Sequence, residues 1–597
     1  MAGGRKTYMA PLTRGWARAK YLALAGLWAL AALFFWVWWL RPDHDIGAIR
    51  YWIATACLGW IFFLQAYFIT VFLCGQRSVA PDPQPGRWRV AMVVTKTPGE
   101  PLALLQKTLS AMLAQDYPHD TWLADEDPAP ATVAWCEASG VRISTRKGVA
   151  DYHRAEWPRR TRCKEGNLAY FYDHFGYDNY DIVAQLDADH VPQPGYLREI
   201  LRPFADPKVG YVSAPSICDA NAGESWAART RLDSEAAFHG ALQCGYSRVF
   251  TSLCIGSHYA VRTRALRQVG GLGPELAEDH STSMLLAAGG WRGVHAIDAI
   301  AHGDGPATIA DLATQEFQWS RSLVTLLLGH TGRYLPKLPL NLKFLFLLGQ
   351  SWYVFFALMM LYMYVAPIYA LTTDQRFADV TYPAFIGHML PATAVLTLLA
   401  WSIRRDRLFR PYDGRIFGLA KLMFVYLQWP WVLWGCLMAL RDRLTGKFVD
   451  FRVTPKGEAA TRRLPSKVVA VYAGLAVGAI LPVILAAGVD EARGFYLLSG
   501  INAAIYVAIV TSIVLRHLGD TLANLRQRWH AAAVQFVSVT ALSALILTAI
   551  MARGMESLYA LSVGLAPLHI ASAQYAASGA GMDDYRRVKF RFDPGWN

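Results

Sequence analysis

The residues Asp181-Ile182-Val183-Ala184-Gln185-Leu186 run directly into Asp187-Ala188-Asp189-His190, and this stretch decides the fold. The first six residues are a short apolar run typical of a buried strand, which the prolines that follow would end. In an open α/β sheet, ligands bind at the carboxyl ends of the strands, where Asp187 and Asp189 would lie. Two carboxylates there suit Mg²⁺ or Mn²⁺ bridged to a substrate diphosphate, although ordinary acidic turns show the same pattern.

The composition indicates a membrane protein. Of the 597 residues 54% are hydrophobic, including 21 tryptophans, and long apolar blocks lie towards both ends. Many of the basic residues behind the net charge of +13 flank these blocks, which is the pattern of cytosolic loops and predicts a lipid bilayer, not a nucleic acid, as the partner. The eight cysteines show no CxxC spacing, so we expect neither disulfides nor a zinc site in a reducing, cytosolic catalytic region.

Eight membrane spans are expected, with both termini in the cytosol. The first apolar block lacks a cleavage-site pattern and is therefore a retained span. Basic residues flank Ile416–Leu440 on both sides, which favours a helix in the interface over a span. The expected spans are Tyr21–Leu40, Tyr51–Cys74, Phe344–Leu371, Ala384–Ser402, Val468–Gly488, Tyr496–Leu515, Ala532–Ala552 and Leu558–Gln574.

A segment of different composition lies between the apolar blocks. Charges, Gly and Pro interrupt short apolar runs in 85–314, and the alternation of strands and helices predicts an α/β domain with a mostly parallel sheet. The predicted organisation is a cytosolic start with two spans (1–84), the α/β domain (85–314), interfacial helices (315–345), spans three and four (346–403), an interfacial helix and a loop (404–466), spans five to eight (467–576) and a cytosolic tail (577–597).

Several residues of the α/β domain suit a nucleotide-linked donor. Asp125 ends another predicted strand and could accept a hydrogen bond from a uracil or ribose, although turn carboxylates are common. Lys164 and Asn167 begin a helix, where a cation and backbone N–H groups suit a phosphate. The turn 254–258 consists mainly of small residues that let the backbone approach a ligand closely.

Other residues suit the acceptor side of a group transfer. Glu278 and Asp279 begin an apolar helical run, where they serve either as helix caps or, for Asp279, as the general base for a hydroxyl. Gln315 and Trp319 share a helix face, and Trp319 is either an interfacial anchor or a platform for the CH face of a sugar. The segment 451–457 is either a basic linker or a mobile loop that closes over a diphosphate.

These motifs, in this order and between membrane spans, resemble those of membrane-integrated processive glycosyltransferases of family 2, above all cellulose synthases and related β-glucan synthases. The resemblance covers residues 85–460 and depends on Asp-Ala-Asp-His-Val-Pro at 187–192, Lys-x-Gly-Asn at 164–167, Glu-Asp at 278–279 and Phe-x-Val-Thr-x-Lys at 451–456. It implies a cytosolic GT-A-like domain inserted in the transmembrane bundle of a bacterial inner-membrane protein. It also implies an inverting enzyme that polymerises glucose from UDP-glucose into a linear β-glucan and secretes the chain through its own channel.

The resemblance also implies a role for each motif residue. The donor-binding residues would be Glu100, Asp125, Lys164, Asp187 and Arg321. The metal ligands would be Asp187 and Asp189, the catalytic pair Glu278 and Asp279, with Asp279 as the base, and the acceptor-binding residues Gln315 and Trp319. The gating loop over the bound donor would contain Phe451, Val453, Thr454 and Lys456.

The sequence departs from the family pattern in three places. Ala277 stands where a Thr is usual before Glu-Asp, and Gln318 stands where an Arg is usual before the acceptor Trp, so that Arg321 is expected to supply the missing charge. No cyclic-dinucleotide-binding domain follows the last apolar block, so regulation is expected to be missing or to come from another subunit, and a periplasmic subunit is a further expected partner. The linkage stays open between 1,4, mixed 1,3/1,4 and 1,3. The alternatives are a hyaluronan- or chitin-type synthase, a non-processive transferase acting on a lipid, and a transporter or scaffold with an inactive domain.

Overall fold

The sheet that organises the chain is built around one inner strand, Val90–Lys96. Its residues are nearly all apolar, which is typical of a strand with both faces covered. Met92 and Val94 pack into a core on one face, while Ala91 and Val93 pack into a second core on the other. Since successive side chains of a strand point to opposite faces, this run supplies a contact surface to helices on both sides of the sheet.

The structure is a computed structural model that describes residues 8–97, 99–274, 277–446, 466–523, 525–563, 568–576 and 585–592. Its strands are β1 (Met9–Pro11), β2 (Gln76–Ser78), β3 (Val90–Lys96), β4 (Asp120–Asp125), β5 (Arg142–Ser144), β6 (Ile182–Asp187), β7 (Val191–Pro192), β8 (Val209–Ser213), β9 (Ser216–Ile217), β10 (His258–Arg262), β11 (Arg292–His295), β12 (Ala301–His302), β13 (Leu568–Ala576) and β14 (Tyr585–Phe592). Its helices are α1 (Gly15–Trp39), α2 (Ile49–Leu73), α3 (Leu102–Leu113), α4 (Pro130–Ser139), α5 (Lys164–Phe171), α6 (Tyr177–Asn179), α7 (Tyr196–Leu201), α8 (Trp226–Ala237), α9 (Gln243–Val249), α10 (Thr263–Gln268), α11 (Glu278–Ala288), α12 (Ile309–Gly329), α13 (Thr331–Tyr334), α14 (Leu340–Thr373), α15 (Tyr382–Arg405), α16 (Leu419–Thr445), α17 (Ser466–Leu485), α18 (Phe495–Ala523) and α19 (Leu525–Ser562).

The predicted α/β fold with a mostly parallel sheet is confirmed. Among the described residues, seven strands form one sheet in the order β11-β8-β10-β6-β3-β4-β5, in which β10 runs antiparallel to its neighbours β6 and β8. A smaller sheet has the order β7-β12-β9. Helix α3 contributes Leu105 to the core on one face of the large sheet, and α5 contributes Leu168 to the core on the other.

The register of the inner strands brings acidic residues to one edge of the sheet. β3 runs parallel to both β4 and β6, so that Lys96 pairs with Asp125 and Thr95 pairs with Asp187. Parallel strands end at the same edge of a sheet, which is where open α/β domains bind their ligands. The two carboxylates therefore lie at the ligand-binding edge, on either side of β3.

The chain consists of two compact units. The first contains the large sheet together with α12 and α16, and it comprises Met1–Tyr21, Ala66–Leu358 and Ala400–Thr461. The second comprises Leu22–Gln65, Met359–Leu399 and Arg462–Asn597. Within the second unit, α17, α18 and α19 pack against one another. Tyr364 donates a hydrogen bond to the carbonyl oxygen of Leu475 at 2.9 Å, which ties α14 to α17 there.

Eight described helices are long and apolar enough to cross a membrane, the number expected from the sequence. They are α1, α2, α14, α15, α16, α17, Phe495–Arg516 of α18 and Phe536–Ser562 of α19. The set differs from the expected one in two places. The prediction of a span over Leu558–Gln574 is wrong, because α19 ends at Ser562 and 568–576 forms strand β13, which pairs antiparallel with β14. Pro567 stands directly before this strand, and a proline cannot continue a helix.

The second difference concerns Leu419–Thr445. This segment was expected to lie in the interface, yet α16 has the length and apolar character of a span. It belongs to the first unit, where it packs along α12. The interfacial position of α16 stays a prediction, and so do the domain boundaries drawn from the sequence.

Candidate active site

The residues around Asp187 form a compact acidic cluster at the end of β6. The backbone N–H of His190 donates to the carbonyl oxygen of Asp187 at 3.1 Å and closes a tight turn. One ligand atom each of Asp187, Asp189 and His190 lies within 4.8 Å of the others. His190 Nδ1 lies 3.2 Å from Asp189 Oδ1, a contact that orients this carboxylate. Two carboxylates held in this way are hard oxygen donors, so the residues fit a divalent cation.

Lys164 connects four segments of the site. It begins α5, and its Nζ lies 2.7 Å from Asp187 Oδ1, 2.6 Å from the carbonyl oxygen of Gly256 and 3.8 Å from Glu278 Oε1. Burial opposes the charge of this ammonium group, but the carboxylates of Asp187 and Glu278 outweigh it and raise the pKa of Lys164. Lys164 therefore remains a cation between the metal-ligand candidates and the start of α11.

Asp125 is fully buried at the end of β4. Its Oδ1 accepts a hydrogen bond from the backbone N–H of Asp127 at 3.0 Å, and its Oδ2 lies 3.2 Å from Lys96 Nζ. Asn167 donates from Nδ2 to the carbonyl oxygen of Ala124 at 2.9 Å, which ties the first turn of α5 to the end of β4. Apart from this ion pair with Lys96, Oδ2 accepts no hydrogen bond within the described part of the chain, so it retains a lone pair for a donor group of a ligand.

Glu100 lies in the loop between β3 and α3, close in sequence to Lys96. Its Oε2 accepts hydrogen bonds from the backbone N–H of Thr97 at 2.8 Å and from Thr97 Oγ1 at 3.3 Å. The carboxylate therefore shapes the loop beside the ligand edge. Its direct contact with a donor stays a prediction.

Glu278 and Asp279 begin α11 beside the same edge. Burial is the main cause that raises the pKa of Glu278 to about 8; Asp279 adds to the effect, while Lys164 opposes it. Glu278 Oε2 also accepts a hydrogen bond from the Tyr259 hydroxyl at 2.9 Å. Burial likewise raises the pKa of Asp279, against the hydrogen bonds from the backbone N–H groups of His280 and Gly256. A buried carboxylate with a raised pKa suits a general base.

The turn 254–258 lies close to Asp279, while its expected approach to a ligand stays a prediction. A Cβ placed on Gly256 would lie 3.3 Å from Asp279 Oδ2, which is tighter than ordinary van der Waals contact. The absence of a side chain at Gly256 thus allows the carboxylate to lie directly against the turn.

Helix α12 carries the two residues assigned to an acceptor. It begins with a capping box in which Thr308 and Asp311 bind each other's backbone N–H groups. Gln315 Oε1 accepts a hydrogen bond from Arg231 Nη1 at 2.8 Å, and the guanidinium carbon of Arg231 lies 4.2 Å from the centre of the Trp319 ring. Both α12 residues are therefore in contact with one cation from α8.

Arg321 points to a different partner from the one expected. Its Nε donates to Asp442 Oδ2 at 2.7 Å, its Nη2 contacts the same oxygen, and both side chains are largely buried. Asp442 belongs to α16, so the pair fastens α12 to α16. In the structure, Arg321 forms an ion pair with the carboxylate of Asp442. The predicted role of Arg321 at a diphosphate stays a prediction.

The sequence reasoning missed four residues that the structure places in or beside these sites: Lys96, His190 as a member of the metal cluster, Tyr259 and Arg231. The position of Lys96 at the end of β3, next to the strand that ends in Asp125, was a usable signal. Arg231 had none, since it lies 88 residues before Trp319 in an unremarkable helix. Phe451, Val453, Thr454 and Lys456 of the expected gating loop lie outside the described residues.

Comparison with known families and proteins is consistent with the motifs. A model described as glycosyl transferase family group 2 matches residues 182–451. The cellulose synthase catalytic subunit [UDP-forming] of Xanthomonas axonopodis pv. citri (strain 306) is 24% identical over 323 residues, which are 51% of this chain and 42% of the relative. The protein of the same name from Pseudomonas fluorescens (strain SBW25) is 23% identical over 324 residues, 51% of this chain and 41% of the relative. The chain thus spans less than half the length of these relatives.

Two solved structures are also similar. A mannosyltransferase from Pyrobaculum calidifontis in complex with GDP-Man and Mn²⁺ is 18% identical with a TM-score of 0.41, covering 71% of this chain and 99% of that one. Glucosyl-3-phosphoglycerate synthase from Mycobacterium tuberculosis in complex with Mn²⁺, UDP and phosphoglyceric acid is 16% identical with a TM-score of 0.28, covering 40% of this chain and 78% of that one.

Proposed function

We propose that this chain, whose family 2 glycosyltransferase region resembles cellulose synthase catalytic subunits, polymerises glucose from UDP-glucose into a linear β-glucan. One observation supports the proposal most directly. Lys164 Nζ contacts Asp187, at the metal-ligand cluster, and lies 3.8 Å from Glu278, the neighbour of Asp279. One side chain therefore connects the groups suited to a metal-bound diphosphate with the start of α11, where the next residue is the carboxylate suited to take a proton.

On the donor side, five residues would bind UDP-glucose or shape its site. The Oδ2 of Asp125 would accept a hydrogen bond from the uridine, Glu100 would shape the adjoining loop, and Lys164 would bind the diphosphate. Asp187 and Asp189 would hold Mg²⁺ or Mn²⁺. The bound cation would offset the negative charge that develops on the departing UDP.

On the acceptor side, Asp279 would take the proton from the attacking hydroxyl of the glucan end. Its raised pKa strengthens it as a base, and the attack from the face opposite UDP would invert the anomeric centre. Trp319 and Gln315 would hold the terminal sugar by stacking and hydrogen bonding. Phe451, Val453, Thr454 and Lys456 would close over the bound donor.

The apolar helices indicate a multi-pass membrane protein. We place the active site in the cytosol at a bacterial inner membrane. The growing chain would leave through a channel formed by the spans, towards a periplasmic accessory subunit. Gln318, in place of the usual Arg beside the acceptor Trp, leaves 1,4, mixed and 1,3 linkages open.

The test is a polymerisation assay with the purified full chain in lipid nanodiscs, radiolabelled UDP-glucose and Mg²⁺ or Mn²⁺. We expect UDP release together with a polymer that a linkage-specific glucanase digests, and that enzyme identifies the linkage. Polymer from another UDP-sugar alone would favour a chitin- or hyaluronan-type synthase and refute the donor assignment. UDP release with only a glycosylated lipid as product would refute processive synthesis.

A further inference from the structure

A partly buried polar group, built from two helices, lies against one face of Trp319. We name it the platform cluster, and it consists of Arg231, Glu235, Gln315 and Trp319. Arg231 Nε lies 3.0 Å from Glu235 Oε1, one turn further along α8, while Nη1 donates to Gln315 Oε1 at 2.8 Å. The guanidinium carbon lies 4.2 Å from the centre of the Trp319 ring. Arg231 is thus in direct contact with every other member of the cluster.

The charge of Arg231 is kept within a largely buried site. Its side chain is only 12% exposed. Burial opposes the charged form, but the carboxylate of Glu235 outweighs this effect and raises the pKa of Arg231. Burial also opposes the charge of Glu235, yet Arg231 and His239 lower the pKa of Glu235 to about 2. Both groups are therefore ionised at neutral pH. Removing Glu235 would leave the Arg231 charge largely buried without its carboxylate, whereas Glu235 would keep His239, whose Nε2 lies 3.4 Å from Oε2, if Arg231 were removed.

The contacts of Arg231 fix two geometries at once. A guanidinium group is planar and rigid, so its stacking on an indole ring limits the rotation of that ring. The hydrogen bond to Gln315 Oε1 turns the other end of this amide, the donor Nε2, away from Arg231. A sugar presents CH groups on one face and hydroxyl oxygens at its edge, so the indole face opposite Arg231, together with the amide donor of Gln315, would match it.

This inference rests on the proposed function, in which Trp319 and Gln315 bind the acceptor. We propose that Arg231 is a positioning residue of the acceptor site, which sets the ring of Trp319 and the amide of Gln315 so that the glucan end stays bound between additions. Arg231 acts through these two side chains. Its loss should therefore weaken acceptor binding and shorten the product, while donor binding is unaffected.

Arg229 provides a matched control on the same helix. It also forms ion pairs, with Asp233 and Asp413 at 3.3 Å each, but its side chain is 29% exposed. Both ion-pair partners are carboxylates outside the platform cluster. Arg229→Met therefore removes an arginine and its salt bridges from α8 without altering the contacts of Trp319.

The experiment compares Arg231→Met, Arg231→Lys and Arg229→Met in nanodiscs supplied with UDP-glucose and a short glucan oligosaccharide. For Arg231→Met we expect the KM for the oligosaccharide to rise about tenfold and the mean chain length to fall similarly, as the loss of a cation–π contact and a charged hydrogen bond implies. The KM for UDP-glucose should change less than about twofold. A higher donor KM would require weaker donor binding, and the substitution should weaken only acceptor binding. Arg231→Lys keeps the charge but not the planar group, so its oligosaccharide KM and chain length should lie between those of Arg231→Met and the parent. Arg229→Met should have the same oligosaccharide KM and chain length as the parent chain.

Two results would overturn the inference. One is an unchanged oligosaccharide KM and chain length in Arg231→Met. The other is a parallel loss of donor and acceptor affinity with a lowered thermal unfolding midpoint, which a purely structural salt bridge predicts. If Arg231→Met does not fold, the product length of Arg231→Lys provides the test. A product as long as that of the parent chain would refute a role for the planar guanidinium.

Trp319→Ala separates this inference from the proposed function. If Trp319→Ala shortens the product and Arg231→Met does not, Arg231 is not a positioning residue and the acceptor platform stands. If neither variant alters the product, the assignment of Trp319 to the acceptor fails and the inference fails with it. If the parent chain makes no polymer from any UDP-sugar, the proposed function itself is wrong.

Discussion

The ligand edge of the sheet and helix α12 hold their polar side chains in different ways. At the edge, Asp125 and Asp187 are placed by the register of β3, β4 and β6, and Lys164 connects Asp187 to the start of α11 through short-range contacts. On α12, Trp319 is held by a residue of α8, and other residues of the helix are held by α16. The edge is thus fixed by backbone pairing and α12 by side chains, so substitutions at the edge should alter the chemistry, whereas those around α12 should alter acceptor binding and stability.

The largest effect is expected for Asp279→Asn. The substitution keeps the shape of the side chain but removes the base, so kcat should fall by about 10²- to 10⁴-fold. Initial rates of UDP release, measured over a range of UDP-glucose concentrations, give kcat and KM separately. The KM for UDP-glucose should stay close to that of the parent, and retention of more than a tenth of the parent kcat would exclude Asp279 as the base.

Metal dependence should show the next largest effect. Asp189→Asn removes one of two adjacent carboxylates, so the Mn²⁺ concentration for half-maximal activity should rise by on the order of a hundredfold. The measurement is a titration of Mn²⁺ into chelator-treated protein, followed by UDP release. Asp178→Asn is the control, since this carboxylate is 74% exposed and pairs with Arg267. Equal metal dependence of the two variants would remove Asp189 from the metal site.

The edge was the part of the molecule that sequence could predict. A buried strand that ends in acidic residues predicts where those residues lie, because parallel strands end at the same edge of the sheet and ligands bind at that edge. The same rule would have found Lys96, which ends β3 in the way that Asp125 ends β4. The sequence also predicted the start of α11 at Glu278, since helix starts are local signals.

The surroundings of α12 could not be predicted in this way. The helix itself and the shared face of Gln315 and Trp319 follow from local periodicity. Their partner Arg231 does not, because a contact between helices distant in the sequence depends on packing that no local pattern records. The assignment of Arg321 to a diphosphate had the same weakness, since the structure pairs this residue with Asp442. The error at Leu558–Gln574 came from a hydropathy pattern that ignored the proline before β13.

A smaller effect on the chemistry is expected for Gly256→Ala. The added Cβ would lie 3.3 Å from Asp279 Oδ2 and should displace the base by a few tenths of an ångström, lowering kcat by roughly tenfold. Gly223→Ala is the matched control, because a Cβ there meets no atom within 4 Å. Steady-state kinetics of both variants decide the point. A parent-like kcat for Gly256→Ala would mean that Asp279 does not depend on close contact with the turn.

The smallest effect should appear on α12, as a change of stability with pH at Glu316. Burial raises the pKa of this carboxyl group from 4.5 to about 7, although its hydrogen bond from Gln428 Nε2 acts in the opposite direction. The fold therefore favours the protonated form, so this stabilisation is complete below pH 4.5 and is lost as the pH rises through 7, on the order of 3 kcal/mol in all. Glu316→Gln retains an oxygen for Gln428 and carries no charge, so its thermal unfolding midpoint should exceed that of the parent at pH 8, by roughly 2–5 °C, and match it at about pH 4.5. The exposed Glu224→Gln should show no such crossover, and a Glu316→Gln difference that is equal at both pH values would mean that burial does not hold this carboxyl in its neutral form.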